Sequence, residues 1–221
     1  MIDHVLSWAA VDEPRFELVE VTLHLGTLTA RGTMLAGGVD PYRVDYHFDS
    51  GPAYITKRLV VTASARGWTR QIRIGRDADG TWSIRRMADP PDAAIVVSPE
   101  TLRDVRDCDV RFSPLFNTMP VLRARLHMGP GGVDAPSALV TLPDLSLLRL
   151  EQDYRHAALV TGGAVVSQRC GPRAADITFG DDGFVTHYPG VARRVGPTPP
   201  PALAAEPRLG VGGSGFLGPP R

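Results

Sequence analysis

The chain has 221 residues, 43% hydrophobic and 22% charged, with a formal net charge of zero at neutral pH. That composition belongs to a folded globular protein, and the balanced charge excludes a global field that would draw in nucleic acid or an anionic membrane surface. No apolar run approaches the roughly 20 residues of a membrane span, and the acidic start MIDHVLSWAAVDEPRF lacks the layout of a signal peptide; the expectation is a cytoplasmic protein with both cysteines, Cys108 and Cys170, reduced.

In chain order the dominant signal has a period of two. In FELVEVTLHL, Val19, Val21, Leu23 and Leu25 share one face, and Glu20, Thr22 and His24 the other. YRVDYHF, RQIRIG and TWSIRRM alternate in the same way, and Asp79-Gly80 between the last two marks a hairpin. SPETLRDVR reads as a short helix, with Ser98 as N-cap, Pro99 at the first position and Glu100 in the first turn. Alternation resumes through DCDVRF, LRARLH, LSLLRLEQ and ADITF, with Asp182-Gly183 as a second hairpin signal.

These elements predict a mostly β fold: a large curved antiparallel sheet with one or two short helices in a single domain over 1–195. Residues 196–221 are half proline and glycine, the composition of a disordered tail. Sliding the chain by 103 residues sets VEVTLHLG on LRARLHMG and Asp79-Gly80 on Asp182-Gly183. Duplication of one β unit and chance similarity both remain open on that evidence.

Candidate chemistry centres on residues 107–127. On a strand, Asp107, Asp109 and Arg111 point one way and Cys108, Val110 and Phe112 the other; a strand at LRARLH gives Arg123, Arg125 and His127 one face. Three readings are open: a solvated ion-pair array, polar walls around a bound head group, or an Asp107/Asp109 acid–base pair. RDADGTW lacks the glycine and glutamate positions of a calcium loop, and the six histidines show no zinc spacing. No nucleophile elbow or phosphate-cradling loop is present, so neither metal nor cofactor is expected.

The run DCDVRFSPLFNTMPVLRARL (107–126) resembles the C-x-D-v-D-l-x-x-T-P-x-T-N-T-L-P-I-R-R-L pattern of the bacterial family described as putative glycolipid-binding. ELVEVTL after Trp8, PDLSLLRLEQDY (143–154) and DDGFVTHYPGVARRV (181–195) match further runs in the same order. The resemblance implies a β-roll or open barrel, similar to lipoprotein-localisation factors and mycobacterial glycolipid-binding lipoproteins. It implies non-catalytic binding of a lipid, glycolipid or similar amphiphile in the sheet's concave face. The expected ligand-binding residues are Asp107, Asp109, Asn117, Arg123 and Tyr188 at the polar head, together with Trp8, Glu20, Thr118 and Tyr154. Ser113, Phe116 and Leu122 depart from the family pattern, and GPAYITKR lacks its usual tryptophan. The alternatives are a protein-interaction module acting through sheet edges or the tail, and a small-molecule enzyme using Asp107 and Asp109.

Overall fold

Alternation becomes sixteen strands in the computed structural model, which describes residues 2–196. The first seven, β1 (Ile2–Ala10), β2 (Arg15–His24), β3 (Thr27–Ala36), β4 (Tyr42–Ser50), β5 (Thr56–Ala65), β6 (Trp68–Arg76) and β7 (Trp82–Asp89), form a continuous antiparallel meander. Next come β8 (Asp107–Val110), the helix α1 (Thr118–Ala124), β9 (Gly132–Asp134), β10 (Ser137–Val140) and β11 (Leu147–Leu150). The chain then returns to the large sheet through β12 (Gln152–Val160), β13 (Gly163–Cys170), β14 (Arg173–Gly180), β15 (Val185–Tyr188) and β16 (Ala192–Arg194).

The large sheet has thirteen strands in the order β7-β6-β5-β4-β3-β2-β1-β16-β15-β14-β13-β12-β9. Its two edges, β7 and β9, do not meet, so the sheet stays open. Its halves are joined where β1 pairs with β16, Trp8 opposite Arg194. A second sheet of three strands, β11-β10-β8, has β8 and β10 parallel, Asp109 opposite Leu139.

Two apolar clusters hold these layers together. Buried residues of β1–β7, among them Trp8, Phe48, Leu59 and Ile72, pack on Leu102, Val110, Leu115, Phe116, Met119 and Val140 from the central segment. Tyr154, Val166, Ile177 and Phe179 of β12–β14 pack on Val121 and Leu126. The central segment thus fills the inner face of β1–β7, the concave face where the amphiphile was expected. Its removal of apolar side chains from water stabilises by about 25 cal/mol per Å².

Both hairpin signals are observed, with Gly80 (φ +86°) between β6 and β7 and Gly183 (φ +76°) between β14 and β15. Left-handed φ suits a residue without Cβ. A Cβ at Gly183 would also meet Leu122 Cδ2 at 2.4 Å.

Expectations for three segments are corrected. LRARLH is not a strand: Arg123 lies in α1, Arg125 closes the helix at φ +54°, and His127 lies in the turn beyond. Pro120, two residues ahead of that run, favours a helix start over a strand leading into it. It lacks the N–H that a strand ladder needs, whereas in the first helical turn that donor has no partner to lose. The same finding sets helix against strand in the 103-residue repeat at its first island, and only the hairpin island matches in structure. SPETLRDVR is a single 3₁₀ turn, Pro99–Leu102. The proposed tail lies, apart from Gly196, outside the described residues. Among the described residues no helix is long and apolar enough to cross a membrane.

Trp8 sits at the joint between the two halves, 1% exposed, its indole Nε1 donating to the Val185 carbonyl at 2.8 Å. Trp8→Phe leaves that carbonyl without its partner and opens a small void. We expect a loss of about 1–2 kcal/mol in urea unfolding, with an unchanged denaturant slope.

Candidate functional site

Asp107 and Asp109 share one face of β8, and the fold gives them different surroundings. Asp107 is 2% exposed. α1 delivers Arg123 to it, with Nη1 donating to Oδ1 at 3.0 Å and Nη2 donating to Oδ2. Burial pushes the Asp107 carboxyl above its usual value, and the Arg123 fork opposes that shift. Arg123 also reaches the Ala53 carbonyl. This pair is a buried bolt between β8 and α1, not the surface ion-pair array that spacing allowed.

Asp109 has no side-chain partner among the described residues, only the Val110 backbone N–H. It faces a pit of about 290 Å³ lined also by Arg111, Phe112, Ser113, Asn117, Leu139, Leu150, Gln152, Gln168, Cys170, Arg173, Tyr188 and Val191. Burial raises its carboxyl to about 7; the Val110 backbone N–H opposes the shift and the charge of Asp107 adds to it. The two acids are therefore set apart, one locked in an ion pair and one free to titrate near neutrality.

The opposite wall is a connected polar network. Tyr154 donates its hydroxyl hydrogen to Asn117 Oδ1 at 2.8 Å, and Tyr188 donates to Gln168 Oε1 at 2.5 Å. The Gln168 amide nitrogen lies 2.9 Å from both Gln152 Oε1 and Tyr154 Oη, and 3.2 Å from Asn117 Oδ1. Two amide hydrogens therefore face three acceptors. The whole chain contains one asparagine and three glutamines, and Asn117, Gln152 and Gln168 all line this pit. Paired donors and acceptors on one side chain are what neighbouring hydroxyls of a polyol require. The volume of this half-open pit lies at the lower edge of the roughly 300–1,000 Å³ of drug-sized ligand sites.

Behind Ser113 stands a group that the sequence pattern did not single out. Glu17 on β2 is 2% exposed and accepts at Oε1 from Tyr46 at 2.6 Å and from Ser113 at 2.5 Å. Its Oε2 has no partner among the described residues. Burial lifts its carboxyl to about 7 against the pull of those two hydroxyls and of Arg15. Gly32 leaves room for this arrangement, since a Cβ there would come within 2.1 Å of the Tyr46 ring.

Of the nine expected ligand-binding residues, Asp109, Asn117 and Tyr188 line the pit. Tyr154 stands directly behind, buried, with its hydroxyl in the network. Asp107 and Arg123 bind each other at the base of the same small sheet. Thr118 is fully buried at the start of α1, its Oγ1 without a partner among the described residues. Trp8 lies in the core, and Glu20 lies on the outer surface of the large sheet in a groove with Arg31, Asp45 and His47. Cys108 is buried behind β8 with its thiol pushed up by burial, and Cys170 is free at the pit wall. Among the described residues no three metal-ligating side chains come together.

A family described as putative glycolipid-binding matches residues 5–194. The crystal structure of a DUF1089 family protein from Pseudomonas aeruginosa is similar to this chain, with a TM-score of 0.59 and 18% identity over 81% of this chain and 92% of that one. At such identity the likeness concerns the fold alone. No curated protein matches the chain.

Proposed function

We propose, from the premise that this chain belongs to the putative glycolipid-binding family, that the pit beside Asp109 binds the polar head of an amphiphile without chemical change. The observation that carries this reading is the convergence of three of the chain's four side-chain amides on one pit, opposite a carboxyl that no other side chain of the described residues bonds. Hydroxyl groups of a sugar or other polyol would exchange water for those amides, for the Asp109 carboxyl and for the Tyr188 hydroxyl. Phe112, Leu139, Leu150 and Val191 would receive the C–H face of the ring and the first carbons of an attached chain, each buried methylene adding about 0.8 kcal/mol.

This differs from a tunnel of acyl length under the large sheet. The apolar interior of β1–β7 is occupied by Leu102, Leu115, Phe116 and Met119, so selectivity rests on the head and the tail stays at the mouth. Octyl glucoside measured by calorimetry tests the reading. Asp109→Asn, a neutral isostere of the protonated acid, is expected to bind within about threefold of the parent. Asp109→Leu, which strands the ligand's hydroxyl, should bind about tenfold or more weakly. Equal affinity for the parent and Asp109→Leu rejects the pit as the site.

A second reading is favoured by one observation, a carboxyl near pH 7 in a polar pit, which suits a general acid. It predicts release of nitrophenol from a nitrophenyl glycoside by the parent and none by Asp109→Asn. No release by either protein leaves the binding reading alone.

A further inference from the structure

The pit wall carries one carboxyl and two guanidinium groups, an imbalance in a chain whose net charge is zero. Arg111 follows the end of β8, and Arg173 begins β14 just after the Gly171 turn; both side chains line the pit and both residues are exposed. Neither makes an ion pair with a carboxylate of the described residues, whereas Arg123, Arg149, Arg155, Arg169 and Arg194 all do. Arg111 stacks loosely on Phe112, 5.5 Å from the ring centroid. Their elements lie on two different sheets, so the two cations approach the opening from two sides.

Resting on the head-group reading above, we propose that Arg111 and Arg173 form an anion clamp at the mouth of the pit, and that the ligand is a phosphorylated polyol. The hydroxyls would meet Asn117, Gln152, Gln168 and Tyr188 inside, and the phosphate oxygens the two guanidinium forks outside. Arginine suits this role because its planar fork matches two phosphate oxygens and remains charged at every working pH. Asp109 sits deeper in the pit. Burial keeps its carboxyl protonated up to about pH 7, so in that range it offers a hydroxyl and does not repel the anion. The phosphate could be free or could link the polyol to a lipid, and the clamp chemistry is the same for both.

Calorimetry at fixed salt with four soluble probes, glucose, glucose 6-phosphate, glycerol and glycerol 3-phosphate, separates the two layers of the site. The clamp predicts that each phosphorylated probe binds at least about tenfold more tightly than its neutral parent. The ratio should fall to near one in the double variant Arg111→Gln, Arg173→Gln, and should shrink as salt rises. Flotation with phosphatidylglycerol and phosphatidylcholine vesicles then identifies the source. Capture by phosphatidylglycerol alone, lost in the double variant, supports a lipid-borne phosphate; tight binding of the soluble phosphates with no vesicle capture supports a free one. Binding of glucose or glycerol with no gain from phosphate overturns the clamp and leaves the head-group pit standing. Failure of all four probes and both vesicles overturns both proposals.

Discussion

Arg123→Ala lowers the free energy of unfolding by about 3–5 kcal/mol at pH 8, an effect expected to lower the melting temperature by about 10 °C. The cause is the carboxylate left behind. Asp107 is 2% exposed, and in the parent Arg123 supplies both of its guanidinium bonds. Without Arg123 the buried carboxyl loses its bonded counter-charge and keeps only the weaker, unbonded pull of Arg106 and Arg76, so its folded-state pKa climbs further above the unfolded one. A carboxyl of that kind holds its proton longer in the folded state, so its stability is fully present below the unfolded pKa and is lost as pH rises through the folded one. The deficit of Arg123→Ala should therefore be small near pH 4 and grow towards pH 8. Adding Asp107→Asn removes the stranded charge and should recover most of the loss at pH 8. Equal losses at both pH values would show that the helix, and not the ion pair, depends on Arg123.

Glu17 makes the parent itself more stable in mild acid than in mild base. Its carboxyl titrates near 4.5 when unfolded and near 7 when buried, so the folded state holds the extra proton between those values. Stability then falls as pH rises across that window, by about 3 kcal/mol for this group. Asp109 slopes the same way from 3.8 to about 7, with a smaller contribution because it opens onto the pit. Glu17→Gln removes its share of the slope. The amide oxygen still accepts from Tyr46 and Ser113, while its N–H₂ takes the place of the unpartnered Oε2. Allowing about 1–2 kcal/mol for that buried donor, the variant should exceed the parent by about 1–2 kcal/mol at pH 8 and fall below it at pH 4. Urea unfolding at the two pH values decides the matter; parallel pH profiles would mean that Glu17 is ionised throughout.

The sheet was legible because alternation reports burial directly. Glu20 and Val19 fall on opposite faces as read, and both Asp-Gly turns join antiparallel strands. What the alternation hid was α1. LRARLH carries a period of two by accident, and Pro114 and Pro120, six residues apart, were the better guide to a 3₁₀ turn running into a helix. The difference between Asp107 and Asp109 was not legible, because it depends on which of them the downstream helix α1 delivers Arg123 to. Glu17 could have been found: it occupies the apolar face of FELVEVTLHL, in phase with Val19 and Val21. Gln152 and Gln168 carry no local pattern of their own, and only the pairing of β12 with β13 brings them together.

The chain supplies its own reporters for the central claim, since three of its four side-chain amides line the pit and the fourth, Gln71, lies on β6 bonded to Thr62. In a nitrogen–proton NMR titration with octyl glucoside, the side-chain amide signals of Asn117, Gln152 and Gln168 should shift together and saturate, with that of Gln71 stationary. Saturable shifts elsewhere with those three signals unmoved would place the ligand outside the pit and contradict the account.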